Sequence, residues 1–121
     1  KIISFTPYKP FKAVSKSTDK RWLSSLAMPS AKYITQELKA SGTEYYAPAN
    51  GYFCIQFQGE PGKYVDLYNK NTGYGMVISH NNTTVLRCTC PARRGDIVTL
   101  KYDTTTALSF FRFIYAEGEV N

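Results

Sequence analysis

Catalysis needs a nucleophile, a proton-transfer group or a metal, and this 121-residue chain offers few of each. Its one histidine, His80, lies in His80-Asn81-Asn82-Thr83, a polar run of turn composition. A histidine-centred triad needs a serine or cysteine and a carboxylate, and no local pattern supplies them. Cys88 and Cys90 stand two apart, so on a strand their side chains share a face and pair poorly with each other. Together with Cys54 and His80 they lack zinc-ligand spacing. Buried free thiols are expected, although Cys54 could meet either of the others if their strands are neighbours. Asp66, Asp96 and Asp103 form no local pair suited to glycoside hydrolysis. Gly73-Tyr74-Gly75 lacks the third glycine and the following helix of a phosphate-binding loop. Arg94-Gly95-Asp96 spells a cell-adhesion tripeptide but is also what a hairpin turn requires. These residues predict a protein that is not an enzyme and holds no cofactor or metal.

Binding chemistry is better represented. Tyr64 and Tyr68 project from one face of a predicted strand, and Asn69, Lys70, Asn71 and Tyr74 follow. His80 and Asn81 sit at the next turn. Tyrosine rings beside amide and ammonium groups suit sugars or polar protein surfaces, because each offers an apolar face next to hydrogen-bonding atoms. The plainer alternative is that the tyrosines cover strand edges and the asparagines make turns.

The elements that position these residues read as strands. Ten Tyr, seven Phe and many Thr and Val, punctuated by Gly, Asn and Pro, favour a β-rich chain. Tyr46–Phe57 is the organising stretch: Pro48 interrupts regular structure, Asn50-Gly51 supplies a corner, and Phe53, Ile55 and Phe57 then alternate toward a core. Strands are predicted at Ala31–Leu38, Glu44–Tyr46, Gly51–Gln58, Lys63–Tyr68, Tyr74–Ser79, Thr84–Cys90, Ile97–Tyr102 and Ser109–Ala116. Turns come roughly every ten residues. The class is therefore all-β, an antiparallel β-sandwich or jelly-roll-like head. Pro91–Asp96 is predicted as a turn. No run is long and apolar enough for a membrane span, so no membrane insertion is expected.

Residues 1–30 are assigned to a basic, extended or stalk-like approach segment and 31–121 to the head. Lys20–Met28 is predicted as a short helix with Trp22, Leu23 and Leu26 on one side. Residues 1–40 hold eight basic against two acidic residues, while 41–121 hold seven of each, so the net charge of +6 lies in the first 40 residues, the approach segment and the start of the first strand. That excess could grip an anionic surface, but no nucleic-acid fold motif accompanies it, and no nucleic-acid partner is expected. The last strand is apolar on both faces: Phe111, Phe113 and Tyr115 on one, Phe110 and Ile114 with Arg112 on the other. A strand of that kind is covered on both sides, and a neighbouring subunit meeting Phe110, Arg112 and Ile114 is the simplest cover in so small a domain.

Met28-Pro29-Ser30-Ala31-Lys32-Tyr33-Ile34, Ala47-Pro48-Ala49-Asn50-Gly51, Pro91-Ala92-Arg93-Arg94-Gly95-Asp96 and Phe111-Arg112-Phe113-Ile114-Tyr115-Ala116-Glu117-Gly118 together resemble C-terminal domains of bacteriophage and prophage tail fibres. The likeness covers residues 28–118. More loosely, the Tyr-x-Ala-Pro-x-x-Gly-Tyr-Phe run with the later Gly-Asp-x-Val-x-Leu is similar to the trimeric heads of complement and tumour-necrosis-factor relatives. The resemblance implies a homotrimeric head at a fibre tip on the virion, made in the host cytoplasm. It would bind a bacterial surface glycan or outer-membrane protein without turning it over. It transfers no individual binding residue. The alternative is a structural or assembly module of the virion.

Overall fold

The computed structural model describes residues 25–58, 63–79, 85–103 and 107–120. Eight strands carry the fold: β1 (Pro29–Thr35), β2 (Thr43–Tyr46), β3 (Gly51–Gln58), β4 (Tyr64–Asn69), β5 (Gly75–Ser79), β6 (Val85–Ala92), β7 (Ile97–Tyr102) and β8 (Leu108–Ala116). They form two four-stranded sheets, ordered β1-β8-β3-β6 and β2-β7-β4-β5, with every pairing antiparallel. Consecutive strands β1 to β4 and β5 to β8 cross between or within sheets in the double Greek-key order of a jelly roll. The eight predicted strands are all present, with ends shifted by a few residues.

β3 is central because its sequence alternates. Phe53, Ile55 and Phe57 are fully buried, and their register partners Cys90, Cys88 and Leu86 on β6 and Phe113 and Phe111 on β8 are buried with them. Val65 and Leu67 on β4 and Val98 and Leu100 on β7 complete the core from the other sheet. Phe53 meets Phe113 edge-on at a centroid distance of 5.0 Å, and Tyr45 meets Phe111 in the same way at 5.1 Å. Such rings contribute both buried area and a directional contact. All three cysteines are free and buried. Burial pushes the Cys88 thiol up to about 12 and the Cys90 thiol up to about 11, so both remain protonated packing groups.

Two turn expectations change. Pro91 and Ala92 belong to β6 rather than to the following turn. β6 is an edge strand that pairs only with β3, so a residue with no backbone donor is tolerated there. β1 ends at Thr35, short of the predicted Leu38, because the chain then turns so that Leu38 packs against the core. The hydroxyls of the largely buried Tyr45 and Tyr102 donate to the Glu37 and Lys39 carbonyls and hold that loop down. The predicted helix over Lys20–Met28 lies mostly outside the described residues.

The strand ends define two poles. The near pole carries the 47–50, 70–74 and 93–96 loops together with both described chain ends. There the Glu117 N–H donates to the Met28 carbonyl and the Gly118 N–H to the Leu26 carbonyl. The far pole carries the 36–42 loop and the last residues of β3, β5 and β7.

Gly51 has a different role from the one its turn context suggests. Its φ is not positive. A Cβ there would lie 2.2 Å from the Ile114 carbonyl oxygen and 2.7 Å from the Phe113 ring. The missing side chain is what lets β3 approach β8. Gly51→Ala is expected to lower stability by about 1–3 kcal/mol through overpacking, read as a fall in the urea midpoint at constant m. An unchanged midpoint would show that the two strands part without cost.

Candidate functional site

The near pole is built around one carboxylate. Asp96 follows Gly95, whose φ of 85° closes the 93–96 turn. Its side chain is buried and accepts from the Arg93 backbone N–H at 2.8 Å, from Arg93 Nε at 3.1 Å and from Asn69 Nδ2 at 3.1 Å, all at Oδ2. Oδ1 accepts from Arg93 Nη2 at 3.2 Å. The Arg93 side-chain hydrogen bonds hold the Asp96 carboxyl well below the usual carboxylate range, at about 2, against the opposing effect of burial. The cell-adhesion tripeptide is thus a turn whose aspartate faces inward.

Asn69 extends this node into the 70–74 loop. It is fully buried, donates to the Pro91 carbonyl as well as to Asp96, and through Oδ1 accepts the backbone N–H groups of Asn71 and Thr72. Asn71 in turn accepts the Ile97 N–H at Oδ1. The third loop is tied in by the Ala47 N–H to the Asp96 carbonyl, by the Gly95 N–H to the Ala47 carbonyl and by the Arg94 N–H to Asn50 Oδ1. Arg94 also donates to the Pro48 carbonyl and pairs with Glu119 at 2.7 Å.

The residues singled out for binding therefore separate. Tyr64 opens β4 at the far pole and is partly exposed. Tyr68 lies on the outer face of its sheet with its ring over Gly75: a Cβ on Gly75 would fall 2.8 Å from Tyr68 Cδ1. Tyr74 is exposed at the near pole, and its hydroxyl has no partner among the described residues. Asn69 is not available for contact, because its side chain is enclosed and fully engaged by the loops it organises. Asn71 is exposed but its amide oxygen is used within the fold. His80 and Asn81 lie outside the described residues.

What the near pole forms instead is a cleft of about 760 Å³, whose lining includes Thr72, Tyr74, Asn50, Tyr52 and Arg93. Its size lies within the range of small-molecule sites. Leu26 and Ala27 from the first described residues, with Gly118 and Glu119 from the last, close its rim. Tyr52 donates its hydroxyl to the Ala27 carbonyl and so anchors that rim. Asn50, Tyr52 and Arg93 carry no signal of their own in the sequence. They lie in or directly after the two turn motifs, Asn50-Gly51 and Arg93-Arg94-Gly95-Asp96, which the antiparallel pairing of β3 with β6 brings together.

The outer face of the other sheet holds the predicted subunit contact. Phe110, Arg112 and Ile114 are each half-buried. The Arg112 guanidinium carbon lies 4.1 Å from the Phe110 ring centroid and 4.2 Å from that of Tyr33 on β1, a cation–π sandwich. Among the described residues no carboxylate pairs with it.

Comparison with protein-family models, with characterised proteins and with solved structures returns no match to this chain.

The Asp96 node makes a pH prediction. A carboxylate depressed from 3.8 to about 2 contributes stability that is complete above about pH 4 and is lost as the pH falls through about 2. Asp96→Asn removes that contribution, so wild type should exceed the variant in urea midpoint at pH 5, and the gap should shrink toward pH 2. A gap independent of pH would assign the effect to shape alone. Asn69→Ala should cost about 1–3 kcal/mol in the same urea titration, since it leaves the Asn71 and Thr72 N–H groups without their acceptor and takes one of four donors from Asp96.

Proposed function

We propose that this chain is the receptor-binding head of a bacteriophage tail fibre, attaching to a bacterial surface glycan or outer-membrane protein by non-covalent contact. The observation that carries the reading is a set of exposed tyrosines on a well-packed jelly roll: Tyr46, Tyr64, Tyr68 and Tyr74. Tyr46 is 66% exposed, far more than packing requires of a large ring. Rigidly held tyrosines supply contact area at little entropic cost and hydrogen-bond through their hydroxyls. The tail-fibre resemblance of residues 28–118 supplies the biological setting.

In this reading the head is a homotrimer assembled through Phe110, Arg112 and Ile114. Three weak sites on one rigid body raise apparent affinity without stronger individual contacts. A second reading, a virion assembly module, is favoured by the concentration of net charge in residues 1–40. It requires particle assembly, not cell adsorption, to depend on this chain.

Light scattering after size-exclusion chromatography should give about three times the 13.7 kDa chain mass at micromolar concentration. Arg112→Glu should shift the species to monomer while leaving the circular dichroism of the sandwich intact. A wild-type monomer would remove the trimer. Fluorescently labelled wild-type protein should adsorb to host cells, and absence of adsorption to any host tested, with particle assembly dependent on the chain, would favour the assembly module.

A further inference from the structure

We propose that the near-pole cleft is a binding site for an uncharged sugar ring, with Tyr74 as its stacking surface and Asn50 and Arg93 as its hydrogen-bond donors. This deepens the receptor-binding reading and rests on it. It also relocates the contact from the strand face of Tyr64 and Tyr68 to a concave site made by three loops.

The ligand class follows from what the cleft's side chains have already committed. Arg93 gives Nε and Nη2 to Asp96, and Arg94 gives Nη2 to Glu119. Both cations are paired with carboxylates that line the cleft, Asp96 and Glu119, so the wall carries no net positive charge with which to hold an anion. What is left over is uncharged or already balanced: Arg93 Nη1, Asn50 Nδ2 and the Tyr74 hydroxyl have no partners among the described residues. Asn50 is held in place because its Oδ1 accepts the Arg94 N–H at 2.9 Å. Its amide is therefore aimed by the fold rather than free to rotate. The floor is apolar, from Gly51, Pro91, Ala92 and Ala116.

An apolar floor, an exposed aromatic ring and a few fixed donors match a pyranose: one face of C–H bonds, and a rim of hydroxyls that both donate and accept. A peptide adding as a strand would need backbone donors along an edge, and the edge segment in this cleft is Pro91-Ala92 of β6, where the proline has no N–H to give. A phosphate or carboxylate would need an unpaired cation. The loops that form the cleft are cross-linked through Asp96 and Asn69, so the site is organised before a ligand arrives, which favours affinity from few contacts.

The test uses the full chain and defined probes: D-glucose, D-galactose and N-acetyl-D-glucosamine as neutral rings, with N-acetylneuraminate and inorganic phosphate as anions. Saturation-transfer NMR should detect at least one neutral ring. Tyr74→Ala should weaken it about tenfold or more, Tyr74→Phe should weaken it less, and Lys101→Ala, exposed on β7 away from the cleft, should leave it unchanged. Transfer to none of the neutral rings overturns the proposal, as does preference for either anion or an unaltered signal in Tyr74→Ala. Adsorption to cells separates the two readings. Wild-type adsorption that survives Tyr74→Ala but is lost in Tyr64→Ala rejects the cleft and keeps the receptor-binding head, whereas absence of any adsorption removes the head itself.

Discussion

The near pole depends on the Asp96 carboxylate. Three loops from distant parts of the chain meet there, and loops alone have no ladder to satisfy their backbone groups. Asp96 accepts four hydrogen bonds, three from Arg93 and one from Asn69. Asn69 passes the constraint to the 70–74 loop, and the Asp96 backbone carbonyl passes it to Ala47. A buried carboxylate is stable only when so completely supplied with donors. The consequence is a pole whose loops behave as an extension of the sheets rather than as independent connections.

The opposite requirement governs β3. Nothing polar organises it on the core side. It is fixed by alternation, by the aromatic contacts of Phe53 and by the close approach at Gly51. Core and pole meet at Gly51: the residue that admits β8 also follows Asn50, whose side chain anchors the Arg94 N–H. Packing of the sandwich and shape of the cleft are thus set by adjacent residues.

Fold class was legible from the sequence because strand alternation is a local signal. Phe53-Ile55-Phe57, Val65-Leu67, Leu86-Cys88-Cys90 and Val98-Leu100 each announce a buried face within five residues, and each is buried. Pro91 carries the turn preference of any proline, whereas the edge position that admits it to β6 is a property of sheet order that no local window contains. Asn69 is a related case. An asparagine before a loop looks like a solvent-facing turn residue, whereas its burial depends on Asp96, twenty-seven positions away. The cleft was invisible because its two walls are turns, and turn composition says nothing about which turns will be neighbours.

Charge accounting separates the two surfaces that carry the functional reading. In the head, Arg93 pairs with Asp96, Arg94 with Glu119, Lys70 with Glu44 and Lys63 with Asp103. Arg112 differs: it has aromatic rings where these have carboxylates. Stacking holds the guanidinium plane in place but leaves its N–H edge without an acceptor among the described residues. A fixed cation with unmet donors, half-buried among apolar neighbours, is poorly suited to a bare surface and well suited to one that another molecule covers. The near-pole cleft has the reverse character, concave and electrically balanced. In the proposed reading one face would take a partner that brings its own acceptors and the other a small uncharged ligand, so assembly and attachment would fall on different parts of the same sandwich and need not compete.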